Sequence, residues 1–305
     1  MSASASLPLP PAFRLVRRLG RGGMGRVYEV IDEDTGERCA LKVSNPDLDE
    51  HGVRLCLHEA WLASRIDHPN VPKVHAYGRL GPHVWMAMEL VEGKSLTQRC
   101  QDGDLDVQAR LTVFRDLARI VHDLHELGVV HRDIKRDNVL VDDDGLVFLV
   151  DFGIAKLDGD VDPPDVFHGT PRCTPPERLL QEGDGAPGDL FQLGVLAFDL
   201  FARTSPWPPM ADPVQTALAI CTHPPAELAM VLSDSARSER DAMVELSSIV
   251  GRCLATDPRD RPASAAALAL HLDRILCGPV LVEAPVWIDP VDLDPGAYSL
   301  AAACA

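Results

Sequence analysis

Apolar and polar positions alternate from residue 13 to residue 43, and this predicts three antiparallel strands. A Gly-rich turn at 20–25 and an Asp-Glu-Asp-Thr-Gly turn at 32–36 separate them. A helical stretch follows over about 52–66 and is broken by His68-Pro69-Asn70. Two more strands fit 73–79 and 83–90 around a Gly81-Pro82 turn, completing a strand-rich half with one helix. Glu92-Gly93-Lys94-Ser95 reads as a hinge, after which the period changes. Within 107–126, Leu111, Phe114, Leu117, Ala118, Val121 and Leu124 recur at the spacing of an amphipathic helix. Val139–Val141 and Leu146–Val150 flank an Asp-Asp-Asp-Gly turn, a short hairpin. The run Leu190–Ala202 is apolar almost all round and predicts a central buried helix. A last helix fits 262–276, with Pro262 in its first turn. Residues 1–12 read as a disordered lead-in and residues 277–305 as a tail without steady period.

Charge narrows the partners. With 29 basic and 46 acidic residues the net charge is −17, a surface that repels nucleic acid and anionic lipid. No run reaches the roughly 18 apolar residues of a membrane span, and the start lacks a signal peptide's basic and apolar regions. The 8 cysteines have no C-x-x-C spacing and read as reduced thiols, so a cytoplasmic protein is expected.

Two regions carry chemistry. Near the start, Gly20, Gly22 and Gly25 form a G-x-G-x-x-G run. That pattern alone also fits a dinucleotide-binding turn or a plain loop, but the following Val27-Tyr28-Glu29-Val30 reads as a strand and favours a flap lying over phosphates. Lys42 sits in the next strand. Further on, His131-Arg132-Asp133-Ile134-Lys135-Arg136-Asp137-Asn138 is followed, thirteen residues after Asn138, by Asp151-Phe152-Gly153. These segments place a candidate base, a cation and two hard oxygen ligands around one hairpin.

Taken in order, these motifs resemble those of eukaryotic-type serine/threonine protein kinases of the bacterial branch, over roughly residues 13–276. The resemblance implies an α+β fold of two lobes, a small β-rich lobe over 13–91 with one main helix and a larger helical lobe over 92–276. It implies transfer of the γ-phosphoryl group of ATP to Ser/Thr hydroxyls of protein substrates, with Mg²⁺ as metal and Mn²⁺ as a substitute. Asp133 is then the proton acceptor and Lys135 neutralises the transferred group. Lys42 holds the α- and β-phosphates and is itself held by Glu59, with Glu50 as the alternative. Asn138 and Asp151 bind metal. Leu19, Gly20, Gly22, Gly25, Val27 and Ala40 cover the nucleotide, Leu140 underlies it, Met88 is the gatekeeper, and the backbones of Glu89 and Val91 meet the base. Thr170, in Gly169-Thr170-Pro171, contacts Asp133 and Lys135. Glu177 pairs with Arg261, and Asp189 caps the catalytic loop.

The departures are informative. Pro175-Pro176-Glu177 stands where Ala-Pro-Glu is usual, Cys173 where an aromatic residue is common, and Arg136 where Pro is common. Residues 156–168 contain no Ser, Thr or Tyr but carry Asp158, Asp160, Asp162 and Asp165. Asp162 or Asp165 is therefore expected to give Arg132 a standing carboxylate in place of a phosphate. A nucleotide-binding scaffold without catalysis and a kinase acting on a small molecule are the competing readings. The tail after 277 is the expected docking segment for a partner.

Overall fold

The computed structural model describes residues 9–23, 25–158, 171–183, 185–208, 210, 212–228 and 237–277. Strands β1 (Phe13–Arg21), β2 (Gly25–Asp32) and β3 (Arg38–Ser44) are followed by helix α1 (Glu50–Ala63), then by β4 (Val74–Leu80) and β5 (His83–Glu89). The five strands form one antiparallel sheet in the order β1-β2-β3-β5-β4. Its alternating apolar positions bury Tyr28, Val30, Leu41, Val43 and Ala87. The β2–β3 turn closes because the Asp32 carboxylate accepts from the amides of Asp34 (2.9 Å) and Thr35 (3.2 Å). Residues 9–12, expected to be loose, are held against this sheet. Leu9 packs on its core, and the Ala12 carbonyl accepts from the Glu33 amide at 2.8 Å.

The expected hinge is partly a strand. Gly93–Ser95 (β6) pairs with β8 (Val139–Asp142), which pairs in turn with β9 (Val147–Leu149). A Cβ on Gly93 would lie 2.6 Å from the Val141 carbonyl, so only glycine allows this approach. Ser95 then caps α2 (Leu96–Asp102) through a reciprocal bond pair with Gln98. Helix α3 (Val107–Glu126) follows the expected span, and its six apolar positions are all buried. A two-strand pair, β7 (Val129–Val130) with β10 (Lys156–Leu157), brackets residues 131–155.

Below this lie α4 (Pro176–Leu179), α5 (Ala186–Ala197), α6 (Pro213–Thr222), α7 (Arg237–Cys253) and α8 (Ala265–Cys277). Helix α5 is the buried centre, but it gives way to a π-helical turn over Phe198–Ala202 and does not run on unbroken to Ala202. It packs so closely on α7 that a Cβ on Gly194 would meet the Cβ of Cys253 at 2.9 Å. The last helix starts later than Pro262 implies. Ser264 Oγ accepts from the Ala267 amide at 3.2 Å, so Ser264 sets the start, and the helix ends at Cys277. Residues 278–305 lie outside the described residues, as does most of the acidic segment before Thr170. No helix among the described residues is long and apolar enough to cross a membrane. The seven described cysteines are free thiols.

Candidate active site

Lys42 projects from β3 toward two carboxylates. Its Nζ donates to Glu59 of α1 at 2.5 Å and to Asp151 at 2.8 Å. The alternative partner, Glu50, is far more exposed at the helix start, with Arg54 3.8 Å away. Glu59 is 2% exposed, and burial pushes its carboxyl up against the opposing pull of Lys42. Burial also acts on Asp151, but the Lys42 ammonium outweighs it and holds that carboxyl at about 2. The two acids holding Lys42 raise its pKa despite burial, so the amine stays protonated. Asp151 itself sits at φ 68°, a left-handed conformation that costs a non-glycine residue energy and is kept by its surroundings.

The glycine flap joins β1 to β2. Gly20 and Gly22 face open space, where an added methyl group would meet nothing within 4 Å, and the Gly22 amide donates to the Gly25 carbonyl at 2.9 Å to close the turn. Gly25 differs, because a Cβ would lie 2.4 Å from the Val43 carbonyl, and this glycine lets β2 lie flush on β3. Asn45, which no motif in the chain singles out, donates through Nδ2 to the Gly23 carbonyl at 2.9 Å and hooks the flap to the end of β3. Leu19 is exposed at the end of β1.

Register places Ala40 opposite Met88 and Val27 opposite Lys42. Leu140 lies on the separate β6–β8–β9 sheet, opposite Ser95 and Phe148. A cavity of about 370 Å³ adjoins the linker between the halves, lined by Glu89–Glu92, the Asp142–Asp144 turn and Phe148. None of Val27, Ala40, Met88 or Leu140 lines it, but Glu89 and Val91, whose backbones are the expected contacts to the base, do.

Residues 131–138, the expected catalytic loop, form a tight loop between β7 and β8. Asp133 Oδ2 accepts from Lys135 Nζ at 2.6 Å and from Asn138 Nδ2 at 3.0 Å. Asn138 Nδ2 also donates to the Asp133 carbonyl at 2.8 Å, which commits the amide nitrogen to Asp133 and turns the amide oxygen away from it. Arg132 is 7% exposed and adopts φ 70°. The turn is held from α5, where Asp189 accepts from the amides of His131 (2.9 Å) and Arg132 (2.7 Å). A third contact to Asp189 comes from His125 Nε2 at 2.9 Å. Burial pushes the Asp189 carboxyl up, but these donors bring it below its ordinary value. The His131 ring is fully buried, and burial pushes it down, toward the neutral form. A neutral ring with its proton on Nε2 satisfies both neighbours, the Val150 carbonyl at 3.3 Å and the Asp133 amide at 3.3 Å on Nδ1.

Glu177 and Arg261 form a two-pronged pair at 2.6 and 2.7 Å, with both residues buried. Arg136, at the position where Pro is common, pairs with Asp199 at 2.8 Å. Thr170 lies outside the described residues, as do Asp162 and Asp165, the residues expected to face Arg132. His125 and Asn45 have faint signals in the chain, each being one polar residue in an ordinary setting. Gln192 has a clearer one, as a carboxamide inside an apolar run.

The protein kinase domain model matches residues 13–272. The chain is 32% identical over 279 residues to serine/threonine-protein kinase pkn2 of Myxococcus xanthus, covering 88% of this chain and 33% of that one. It is 33% identical over 283 residues to Pkn1 of the same organism (90% and 39%), and 30% identical over 217 residues to PknA of Mycobacterium tuberculosis (68% and 50%). The chain thus spans between 33% and 50% of the length of these curated relatives. With the motifs in order, the β-rich and helical halves around them, and a match over most of its length, the chain belongs to the protein kinase domain family, in the two-lobed α+β fold.

Proposed function

We propose that this chain is an ATP-dependent protein serine/threonine kinase. The observation that carries the reading is the junction of two sets of groups. Lys42, Glu59 and Asp151 form one charged cluster, and Asp133, Lys135 and Asn138 form another on the adjoining loop. Phosphoryl transfer asks a protein for positioning and charge stabilisation more than for strong bases, and these groups supply both. Asp133 orients the incoming hydroxyl and accepts its proton as the new O–P bond forms and the bond from the γ-phosphorus to the β–γ bridging oxygen breaks, with ADP leaving. Lys135, 2.6 Å from that carboxylate, is placed to offset charge on the transferred group. Lys42 takes the α- and β-phosphates, and Glu59 keeps its ammonium aimed.

The donor set fits a divalent metal. Asp151 is held ionised and has a second carboxylate oxygen beyond the one meeting Lys42, while the Asn138 amide oxygen is a hard neutral donor. Mg²⁺, or Mn²⁺ in its place, would supply charge neutralisation between the phosphates. Val27, Ala40, Met88 and Leu140, with the Glu89 and Val91 backbones, are the proposed adenine contacts. The same reading extends to a cytoplasmic signalling role acting on protein substrates. Leu19, Gly20, Gly22 and Gly25 are the proposed phosphate cover, and Thr170 the proposed contact to the acceptor side.

The test is transfer of labelled phosphate to a generic basic protein, wild type beside Asp133→Asn. Loss of about 10²–10⁴-fold in the variant, with ATP binding retained, is the expected result. Equal rates in the two proteins would remove Asp133 from its role. No transfer by either, with ATP still bound, would favour a nucleotide-binding scaffold.

A further inference from the structure

Resting on that reading, we propose that Gln192 is a positioning residue for Asp133. Helix α5 carries two polar side chains, Asp189 and Gln192, in an otherwise apolar sequence. Gln192 is 2% exposed, and a buried carboxamide needs partners for both its ends. Both partners are backbone groups flanking Asp133. Gln192 Oε1 accepts from the Ile134 amide at 2.8 Å, and Nε2 donates to the Arg132 carbonyl at 2.5 Å. Arg178 Nη1 reaches the same carbonyl at 3.3 Å.

Helical spacing of three puts Asp189 and Gln192 on one face of α5. Asp189 holds the amides of His131 and Arg132, and Gln192 holds the peptide groups before and after Asp133. The division of labour follows from position. Asp189 fixes the entry to the loop, where Arg132 takes its left-handed φ of 70°. Gln192 fixes the residue that meets the acceptor hydroxyl. The nucleotide end is carried by β3 and α1, which this side chain does not touch. A change at Gln192 therefore displaces the Asp133 carboxylate while Lys42 and Glu59 stay in place. It acts on the transfer step and not on nucleotide binding.

The experiment compares wild type, Gln192→Met and Gln192→Glu as full chains. Each is assayed for transfer to a generic basic protein and for binding of a fluorescent ATP analogue. Met keeps the volume and loses both bonds. The expected result is a fall in kcat of about ten- to a hundredfold, with KM for ATP and analogue affinity within about twofold of wild type. A kcat within about twofold of wild type, or a parallel loss of nucleotide affinity, overturns the proposal. Glu keeps shape and acceptor but donates to the Arg132 carbonyl only when protonated. Its activity relative to wild type should rise as pH falls between about 8.5 and 5.5, and a flat ratio overturns the proposal. If Gln192→Met fails to fold, the Glu profile decides. Wild type that transfers no phosphate overturns the kinase reading itself, whereas active wild type with an equally active Met variant overturns only the role of Gln192.

Discussion

The Glu177–Arg261 pair allows the most direct test of what holds the helical half together. The Arg261 side chain has no exposed surface. It donates to both Glu177 oxygens, to the carbonyls of Pro187 (2.8 Å) and Ala255 (3.0 Å), and lies 5.2 Å from the Phe191 ring centre. Arg261→Ala removes all of these and leaves a carboxylate with little access to water. Breaking one side of a buried pair costs about 3–5 kcal/mol, and the orphaned carbonyls place this variant toward the upper end. At roughly 2–4 °C per kcal/mol for a domain of this size, the midpoint should fall by about 6–20 °C. Arg261→Lys keeps the charge but loses the fork, and should fall between wild type and Ala. The double variant Arg261→Met with Glu177→Leu leaves no lone charge, so it should be more stable than Arg261→Ala alone. Urea denaturation followed by circular dichroism measures all four. A loss below about 1 kcal/mol for Arg261→Ala, the scale of an exposed pair, would refute the assignment of a buried charge pair.

Three further outcomes follow from single contacts. Gly25→Ala forces β2 away from the Val43 carbonyl and should cost about 1–3 kcal/mol, while Gly22→Ala, which meets nothing, should leave the melting midpoint unchanged and weaken only ATP binding. Asn45→Asp keeps the shape but loses the donor to Gly23, so KM for ATP should rise about fivefold with kcat unchanged, read by steady-state kinetics. For His131, burial favours the neutral ring in the folded chain, so the unfolded chain binds the proton first. Stability present above the ordinary value of 6.5 is then lost on acidification, by up to about 1.4 kcal/mol per pH unit. The stability gap between wild type and His131→Phe, taken from urea midpoints, should narrow below that pH; a constant gap would contradict a neutral buried ring.

Much of the fold is legible in the chain because period and turn chemistry agree with it. The strands over 13–44 and 74–89 and the α3 helix match the alternating and helical patterns to within a few residues. The chemistry is legible for a different reason. Asp133, Asn138 and Asp151 lie close along one hairpin, so sequence spacing carries their geometry, and Glu59 is singled out over Glu50 by the resemblance, through its place nine residues before His68-Pro69-Asn70. What stays hidden depends on contacts between distant segments. Asn45 reaches Gly23 across 22 positions, and Gln192 reaches Arg132 across 60. Asn45 has no local consequence to read, and Gln192 stands out as a carboxamide in an apolar run without showing which segment it meets. Helix α7 is hidden for another reason. Its buried Met243, Leu246, Ile249, Val250 and Cys253 keep helical spacing, but dense charge in its first half masks the stripe. The start of α8 departs from expectation because Pro262 is a fair helix opener, yet Ser264 supplies the cap.

The two halves of the site are held by different kinds of bond, and this separates their responses to change. The base end is fixed by side chains of α5 bonded to backbone, through Asp189 and Gln192, with both side chains buried. Such bonds are costly to leave unmade and change little with conditions. The phosphate end relies on Lys42 shared between Glu59 and Asp151, and Asp151 is 42% exposed at its side chain. Water there screens the attraction and lets one partner be exchanged for another. On the proposed function, a triphosphate arriving at Lys42 would compete with Asp151 for the same ammonium, and releasing that carboxylate would free an oxygen for metal. The geometry thus sets a fixed acceptor side against an exchangeable donor side. Substitutions on α5 should accordingly appear in kcat, and substitutions around the flap and Lys42 should appear first in KM for ATP. A Gln192→Met variant showing its defect only in KM, or an Asn45→Asp variant showing it only in kcat, would break that division.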